Sequence, residues 1–416
     1  MLRGRVALPL ILREPRLRSV LLIALLAGTV EGMVIPFLAL IAEERGVPIA
    51  TIGLMAAAFL LAQVSLQVPF GILSDRVGRS WIIVTGLVLL ALACLGFAVA
   101  DSSPVWIALR ILQGFAVAAL LPSLRALVAD VSTIEQRGEA FAGFNAAFFG
   151  GIFGGPLIGG IVIEVANEPT LFVGAAIAAL AIGAIVWLRF PEFRRPVVTP
   201  HVAHDVPLAS GLALVRIILA PALLGAFLIG AAVQVPAGLA TAIWSIYVSD
   251  LGGSDFVVGL TYSTFSIPLL LLATVAGKAA SRRPRWRLLL VTNTLLAVFV
   301  AAYGVIAWIP SLIFFGVLEG IVVAFAAPAL DAYMTTVADP RMMGRVQGVF
   351  ATCGTGGAAA VGWLSAALYE QDQALPFIVA GALVLALILP GVALIRITEE
   401  RQRGNRPLVT PESVSG

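Results

Sequence analysis

The chain reads as an all-α integral membrane protein, with twelve transmembrane helices arranged as two six-helix repeats. Three observations predict this class. Hydrophobic residues fill 60% of the 416 positions and charged residues only 12%, with a mean hydropathy of +1.04. Soluble domains are about a quarter charged, so this chain cannot cover a globular surface with polar groups. Apolar stretches of the roughly 20 residues that a spanning helix needs recur along its length. When the sequence is displaced by 206 residues, its Gly, Pro and Arg punctuation falls into register with itself. The short alternating segments of a membrane β-barrel are absent.

The elements follow in order. Residues 19–41 come after several arginines and include "LLIALLAG", as a secretion signal does. The apolar run is too long for a signal and has a counterpart later in the chain, so it is expected to persist as span 1. Spans 2 to 6 are expected at 52–73, 81–100, 105–128, 139–163 and 170–189. A Pro-rich polar link over 190–217 then divides an N-terminal half (1–189) from a C-terminal half (218–396). Spans 7 to 12 are expected at 218–248, 256–277, 287–308, 311–335, 343–368 and 374–396, with span 7 long enough to tilt or kink near Pro236. Residues 397–416 form a polar tail, expected to be disordered.

Charge fixes an orientation. Of the 26 Lys and Arg residues, all but Arg45 and Arg110 fall on one side if the N-terminus is cytoplasmic. Such asymmetry is the strongest sequence signal of topology, so both termini are expected in the cytoplasm, in a cell (inner) membrane. Trp81, Trp106, Trp187, Trp244, Trp286 and Trp308 lie near expected span ends, where amphipathic rings anchor, with Trp363 the exception. Cys94 and Cys353 have no metal-ligand spacing and read as small buried apolar residues. P-loop, zinc-protease and nucleophile-elbow patterns are missing. The chain is therefore not expected to be an enzyme, to hold a cofactor or metal, or to bind nucleic acid.

The repeat is visible in its punctuation. Gly71 pairs with Gly277, Arg76 with Arg282, Arg79 with Arg285, Pro122 with Pro328, Gly53 with Gly259 and Gly138 with Gly344. "GILSDRVGR", Gly71 to Arg79, has a glycine on each side of an Asp-Arg pair, which suits a tight turn and close backbone approach. "RILQG" runs from Arg110 to Gly114, and "GIFGGPLIGG" from Gly151 to Gly160. The glycines at 151, 155 and 159 share one helix face and permit close packing, and Pro156 bends that face.

These three stretches, in this order on spans 2 to 5, resemble the signatures of the major facilitator superfamily. Gly71, Asp75, Arg76, Gly78 and Arg79 match its gating loop, although Ser80 replaces the final basic residue and Ser281 the acid of the second copy. Arg110, Gln113 and Gly114 match its span 4 motif. Gly151, Gly155, Pro156, Gly159 and Gly160 match the motif of its drug:proton antiporter branch, with Ala142 at a more distant glycine position. The resemblance covers about residues 19–396. It implies alternating access between two halves, a cavity lined by spans 1, 4, 7 and 10, and a cytoplasmic latch in which Asp75 meets the N-terminus of span 11 when that side closes.

Charge inside the membrane costs at least ~2.5–3.5 kcal/mol per ion on insertion scales, so each such residue asks for a reason. Glu31 stands near the middle of span 1, about 18 Å along it. Arg110 and Gln113 share a face of span 4, Gln234 lies in span 7, and Glu319 occupies in span 10 the repeat position of Gln113. The two histidines, His201 and His204, lie in the central link, so any proton relay must use carboxylates. Glu31 is the first candidate for proton coupling and Glu319 the second, with Arg110 stabilising the Glu31 carboxylate in one conformation and releasing it in the other. The rival reading of Arg110 is a structural pair with an acid or carbonyls. Gln113, Gln234, Asn145, Gln63 and Gln67 are the candidate polar cavity residues, the last two equally readable as interhelical bonds. Arg125 and Asp331, also repeat-related, are expected to form bridges near a gate. The functional expectation is a monomeric, proton-coupled exporter of hydrophobic or amphipathic small molecules. A metabolite importer or facilitator is the alternative, and it would call for a denser set of polar groups. A lipid enzyme or a receptor would need surface acid clusters or a long tail.

Overall fold

The computed structural model describes residues 14–133, 136–191, 220–280, 284–338 and 343–404. The expected cytoplasmic residues Arg3, Arg5, Arg13, Arg282, Arg283 and Arg341, most of the central link with His201 and His204, and the end of the tail lie outside them.

Six helices build the first half: α1 (Pro15–Glu44), α2 (Ile49–Val77), α3 (Arg79–Val99), α4 (Ser103–Asp130), α5 (Arg137–Val165) and α6 (Glu168–Arg189). Span 7 is three short helices, α7 (Pro221–Val233), α8 (Val235–Ala242) and α9 (Trp244–Asp250). The expected kink is thus two breaks, at Gln234 and Ile243, because Pro236 lacks the N–H that would carry the ladder through the first. Spans 8 to 12 are α10 (Asp255–Ala280), α11 (Arg285–Val305), α12 (Ile309–Val337), α13 (Met343–Tyr369) and α14 (Leu375–Gly404). Twelve spans among the described residues are long and apolar enough to cross a bilayer, making this a multi-pass membrane protein.

The internal repeat reaches local geometry. Gly46 and Gly252, 206 residues apart, both turn the chain between spans with positive φ, 79° and 84°. Pro104 and Pro310, at the same offset, both begin helices, where the missing N–H costs nothing.

Small residues set the helix seams. Gly28 and Gly32 of α1 lie against the backbone of Phe148 and Ile152 in α5. Gly151, Gly155 and Gly159 of α5 lie in return against α1 from Leu25 to Met33. A Cβ at any of these five glycines would overlap the neighbouring helix. Two glycine-lined seams join the halves, and α1 also meets span 7, where the Ser245 hydroxyl donates to Pro36 O. Gly53 of α2 packs on Gly362, Trp363 and Ala366 of α13, and Gly259 of α10 packs on Pro156 and Leu157 of α5. These are the same contacts displaced by one repeat. Hydrogen bonds between the halves run from this end, the one carrying the turns at Gly46 and Gly252, to mid-depth, where the Ser263 hydroxyl donates to Phe153 O at 2.7 Å. The seam is shut at that face, and toward the opposite face Val68 of α2 is 70% exposed.

Two tryptophan expectations are corrected. Trp106 is fully buried against Phe97, 5.3 Å between ring centroids, with the Arg45 guanidinium over its ring. Trp244 stands at the second break of span 7 and faces the interior. Trp81 and Trp187 do pair edge to face at 4.6 Å, with Trp81 half exposed. Cys94 is buried and Cys353 half-buried, both as free thiols.

Candidate functional site

The gating stretch is less of a loop than its glycines suggest. Helix α2 continues through Asp75 and Arg76 to Val77, and Gly78 alone, at φ 110°, turns the chain into α3. Gly71 is an interior residue of α2 with ordinary space around it, so only Gly78 has the conformational role expected of the pair. Asp75 pairs with Arg79 one turn on, and Arg79 Nε also reaches Asp130 Oδ2 at 3.1 Å. Asp75 is thus held within its own half, with its side chain 49% exposed, as suits a structure shut at the other face.

The antiporter motif divides by face. Gly151, Gly155 and Gly159 bind α5 to α1, whereas Pro156 and Gly160 meet Gly259, Asp255 and Phe256 of α10 across the halves. One helix therefore carries a seam within its own half and an inter-half seam on different sides.

Behind the α1–α5 seam lies a buried polar chain. Arg110 Nη1 donates to Gln113 Oε1 at 2.8 Å, and Gln113 Nε2 donates to Glu31 Oε1 at 3.2 Å. The Arg110 guanidinium also stands 4.4 Å from the Phe59 ring centre, where a cation meets the negative face of the ring. Acid and arginine are thus joined through the glutamine rather than by a direct ion pair. Among the described residues, Glu31 Oε2 is buried without a hydrogen-bond partner.

A cavity of about 370 Å³ opens beside this chain, displaced into the second half. Gly32 and Pro36 of α1 and Phe153 and Pro156 of α5 form one wall. The other carries Gln234, Trp244, Tyr262, Phe265, Tyr303, Glu319 and Phe377. Helix α1 therefore places Gly32 in the cavity and Glu31 directly behind it. Glu319 Oε2 accepts a hydrogen bond from the Tyr303 hydroxyl at 2.6 Å. Where the first half has Arg110, the second has Gly316, also in the lining, so the acid of α12 faces space rather than a guanidinium.

Of the expected cavity residues, only Gln234 lines this space, at the first break of span 7. Gln113 is fully buried in the polar chain, Asn145 is exposed, and Gln63 and Gln67 are half-buried on α2, away from the lining. Arg125 lies over the Phe144 ring at 5.9 Å and forms no ion pair with Asp331. Tyr303 and the aromatic lining were not singled out from the sequence. One signal was available: all five tyrosines fall in the second half.

Comparison with known proteins agrees with this architecture. The chain is similar to the quinolone resistance protein NorA of Staphylococcus aureus, 32% identical over 162 residues, which are 39% of this chain and 42% of that protein. It is 34% identical over 162 residues to multidrug resistance protein 1 of Bacillus subtilis, again 39% of this chain and 42% of the relative. These alignments thus span less than half of each relative. Among solved structures, a bacterial homolog of the human lysosomal transporter Spinster, inward-facing and unoccupied, superposes with a TM-score of 0.68 at 16% identity, covering 93% of this chain and 94% of that one. A point mutant of the nucleoside transporter NupG gives 0.69 at 13% identity, covering 92% and 99%. The Major Facilitator Superfamily model matches residues 20–239 and 222–414, and the chain, with its twelve spans, belongs to that family.

Proposed function

We propose that this transporter exports hydrophobic or amphipathic small molecules in exchange for protons, by rocking its two halves about the central cavity. The observation that carries the reading is the cavity itself: about 370 Å³, walled by aromatic and aliphatic side chains, with one carboxylate, Glu319. Such a wall binds apolar surface without demanding a fixed hydrogen-bond pattern, and aromatic faces with an acid favour cations. A polar metabolite would need more convergent donors and acceptors than Gln234, Thr241, Thr261 and the two tyrosines supply. The drug-resistance relatives point the same way.

Glu31 is the proton site in this reading. Its unpartnered Oε2 is where a proton is taken up, and the Arg110–Gln113 arm holds Oε1 in place. Residues 1–189 and 218–396 are the rocking units, the termini are cytoplasmic, and the shut face is the outer one, so the protein stands open inward. One chain holds both halves and acts as a monomer.

The test is uncoupler-sensitive export of a dye panel from cells and from inverted vesicles, with wild type and Glu31→Gln. Loss of proton-driven export with retained dye exchange supports the assignment. Loss of exchange as well makes Glu31 a binding or folding residue, and no movement of any dye overturns the export reading.

A further inference from the structure

The shut face carries a second feature that obeys the internal repeat. Glu164, one residue before the end of α5, accepts a hydrogen bond at Oε2 from the Phe256 N–H in the first turn of α10, at 3.3 Å. Glu370, just past α13, accepts at Oε1 from the Ala50 N–H in the first turn of α2, at 3.1 Å. Acid and amide both recur at the offset of 206: Glu164 with Glu370, Ala50 with Phe256. Each bond crosses from one half to the other. Between them they span both inter-half seams.

The chemistry of each contact is that of a helix cap supplied by another domain. First-turn N–H groups have no partner within their own helix, and the positive end of the helix dipole favours an anion. Helix α2 begins after Pro48, and no side chain of its own caps it. Two acids nearby are held elsewhere: Glu168 by Arg45 at 3.1 Å, and Asp250 by the Tyr369 hydroxyl at 2.6 Å and by Gln373 at 3.0 Å. Both clasping residues are exposed, so each bond competes with water and can open in every cycle.

We propose that Glu164 and Glu370 are a two-fold-related pair of clasps that hold this face shut, and so are positioning residues setting the balance between the two open states. Their placement outside the cell rests on the orientation proposed above. The acids and the helix N-termini part together when the face opens.

The test measures that balance without added substrate and with an uncoupler collapsing the proton gradient. Ala237→Cys, in the cavity lining, is introduced into a Cys353→Ala background, where the remaining Cys94 is buried. Labelling by a membrane-impermeant maleimide is timed in intact cells and in inverted vesicles. Glu164→Ala or Glu370→Ala is expected to raise labelling from outside about fivefold, as loss of a helix cap would, and the pair together about 25-fold. Labelling in inverted vesicles should fall in the same variants, and Glu164→Gln, which keeps an acceptor oxygen, should lie between. Unchanged rates from outside, or equal increases from both faces, would overturn the proposal. A rise confined to inverted vesicles would keep the clasps and overturn the orientation instead.

Discussion

Glu319→Gln is the sharpest probe of the cavity. The substitution keeps shape and volume, leaves an oxygen for the Tyr303 hydroxyl, and removes one negative charge from an otherwise apolar and aromatic wall. Opposite unit charges 4 Å apart at an effective dielectric of 20 attract by about 4 kcal/mol, which is a ceiling. Stripping water from both groups takes back part of it, and hydrogen bonds to a charged group contribute a net ~1.5–3 kcal/mol. The affinity for a monovalent lipophilic cation should therefore fall by roughly 10- to 150-fold, at about 1.4 kcal/mol per decade. An uncharged analogue of the same shape should change by less than about twofold, since its contacts are with rings that stay in place. Fluorescence polarisation with purified protein and the two matched dyes reads both constants. Equal loss for cation and neutral analogue would mean that position 319 shapes the cavity rather than presenting charge. No loss for either would place the cation outside this cavity.

Other perturbations separate the parts of the site. Gln113→Leu strips Arg110 of an acceptor and Glu31 of a donor in a buried setting, and should lower stability by about 2–4 kcal/mol, read as a fall in melting temperature in detergent. Gly155→Val should be severely damaging to folding yield because its Cβ meets the α1 backbone, whereas Gly154→Val, one position back with open space, should be nearly silent. Asp75→Asn removes one partner of Arg79 at an exposed position and leaves Asp130, so melting should shift by less than about 1 kcal/mol equivalent; a larger loss would show that Asp75 holds more than its neighbour.

The spans were legible because the bilayer imposes their length, and all but the last lie within a few residues of their expected bounds; α14 runs on to Gly404, so the first eight residues of the expected disordered tail are helical. The repeat was legible from Gly, Pro and Arg because backbone geometry constrains those residues wherever they stand. The rotation of each helix about its axis was not. In water an amphipathic stripe tells core from surface, but in lipid both faces are apolar. Gln63, Gln67 and Asn145 could therefore be assigned to a helix but not to a side of it. Trp106 and Trp244 show the same limit, since proximity to a helix end does not say whether a ring points to lipid or inward. Buried charge escapes it, because its cost forces it inward. Hence the inward placement of Glu31, Arg110 and Glu319 was legible in the sequence, and that of Tyr303, which looks like any apolar ring until its hydroxyl has a partner, was not.

The geometry also says which contacts can move. Charge change at Glu31 can matter to the cavity only through an element that has two arrangements. Helix α1 is not free against α5: five glycines set their backbones together, and sliding by one residue would lose that fit. Helices α1 and α5 therefore travel as one body, carrying Glu31 on one side and Gly32, Phe153 and Pro156 of the cavity wall on the other. The seams left to move are the two between the halves: α5 against α10, where Pro156 meets Gly259, Gly160 meets Phe256 and the Glu164 clasp spans the end, and α2 against α13, where Gly53 meets Ala366 and the Glu370 clasp does the same. A disulfide tying α1 to α5 should then leave transport close to wild type, while one tying α5 to α10 near Gly259 should stop it until reduced. Transport that survives the second cross-link, or fails under the first, would mean that the mobile joint lies elsewhere and that the glycine face of α5 is a sliding track rather than a weld.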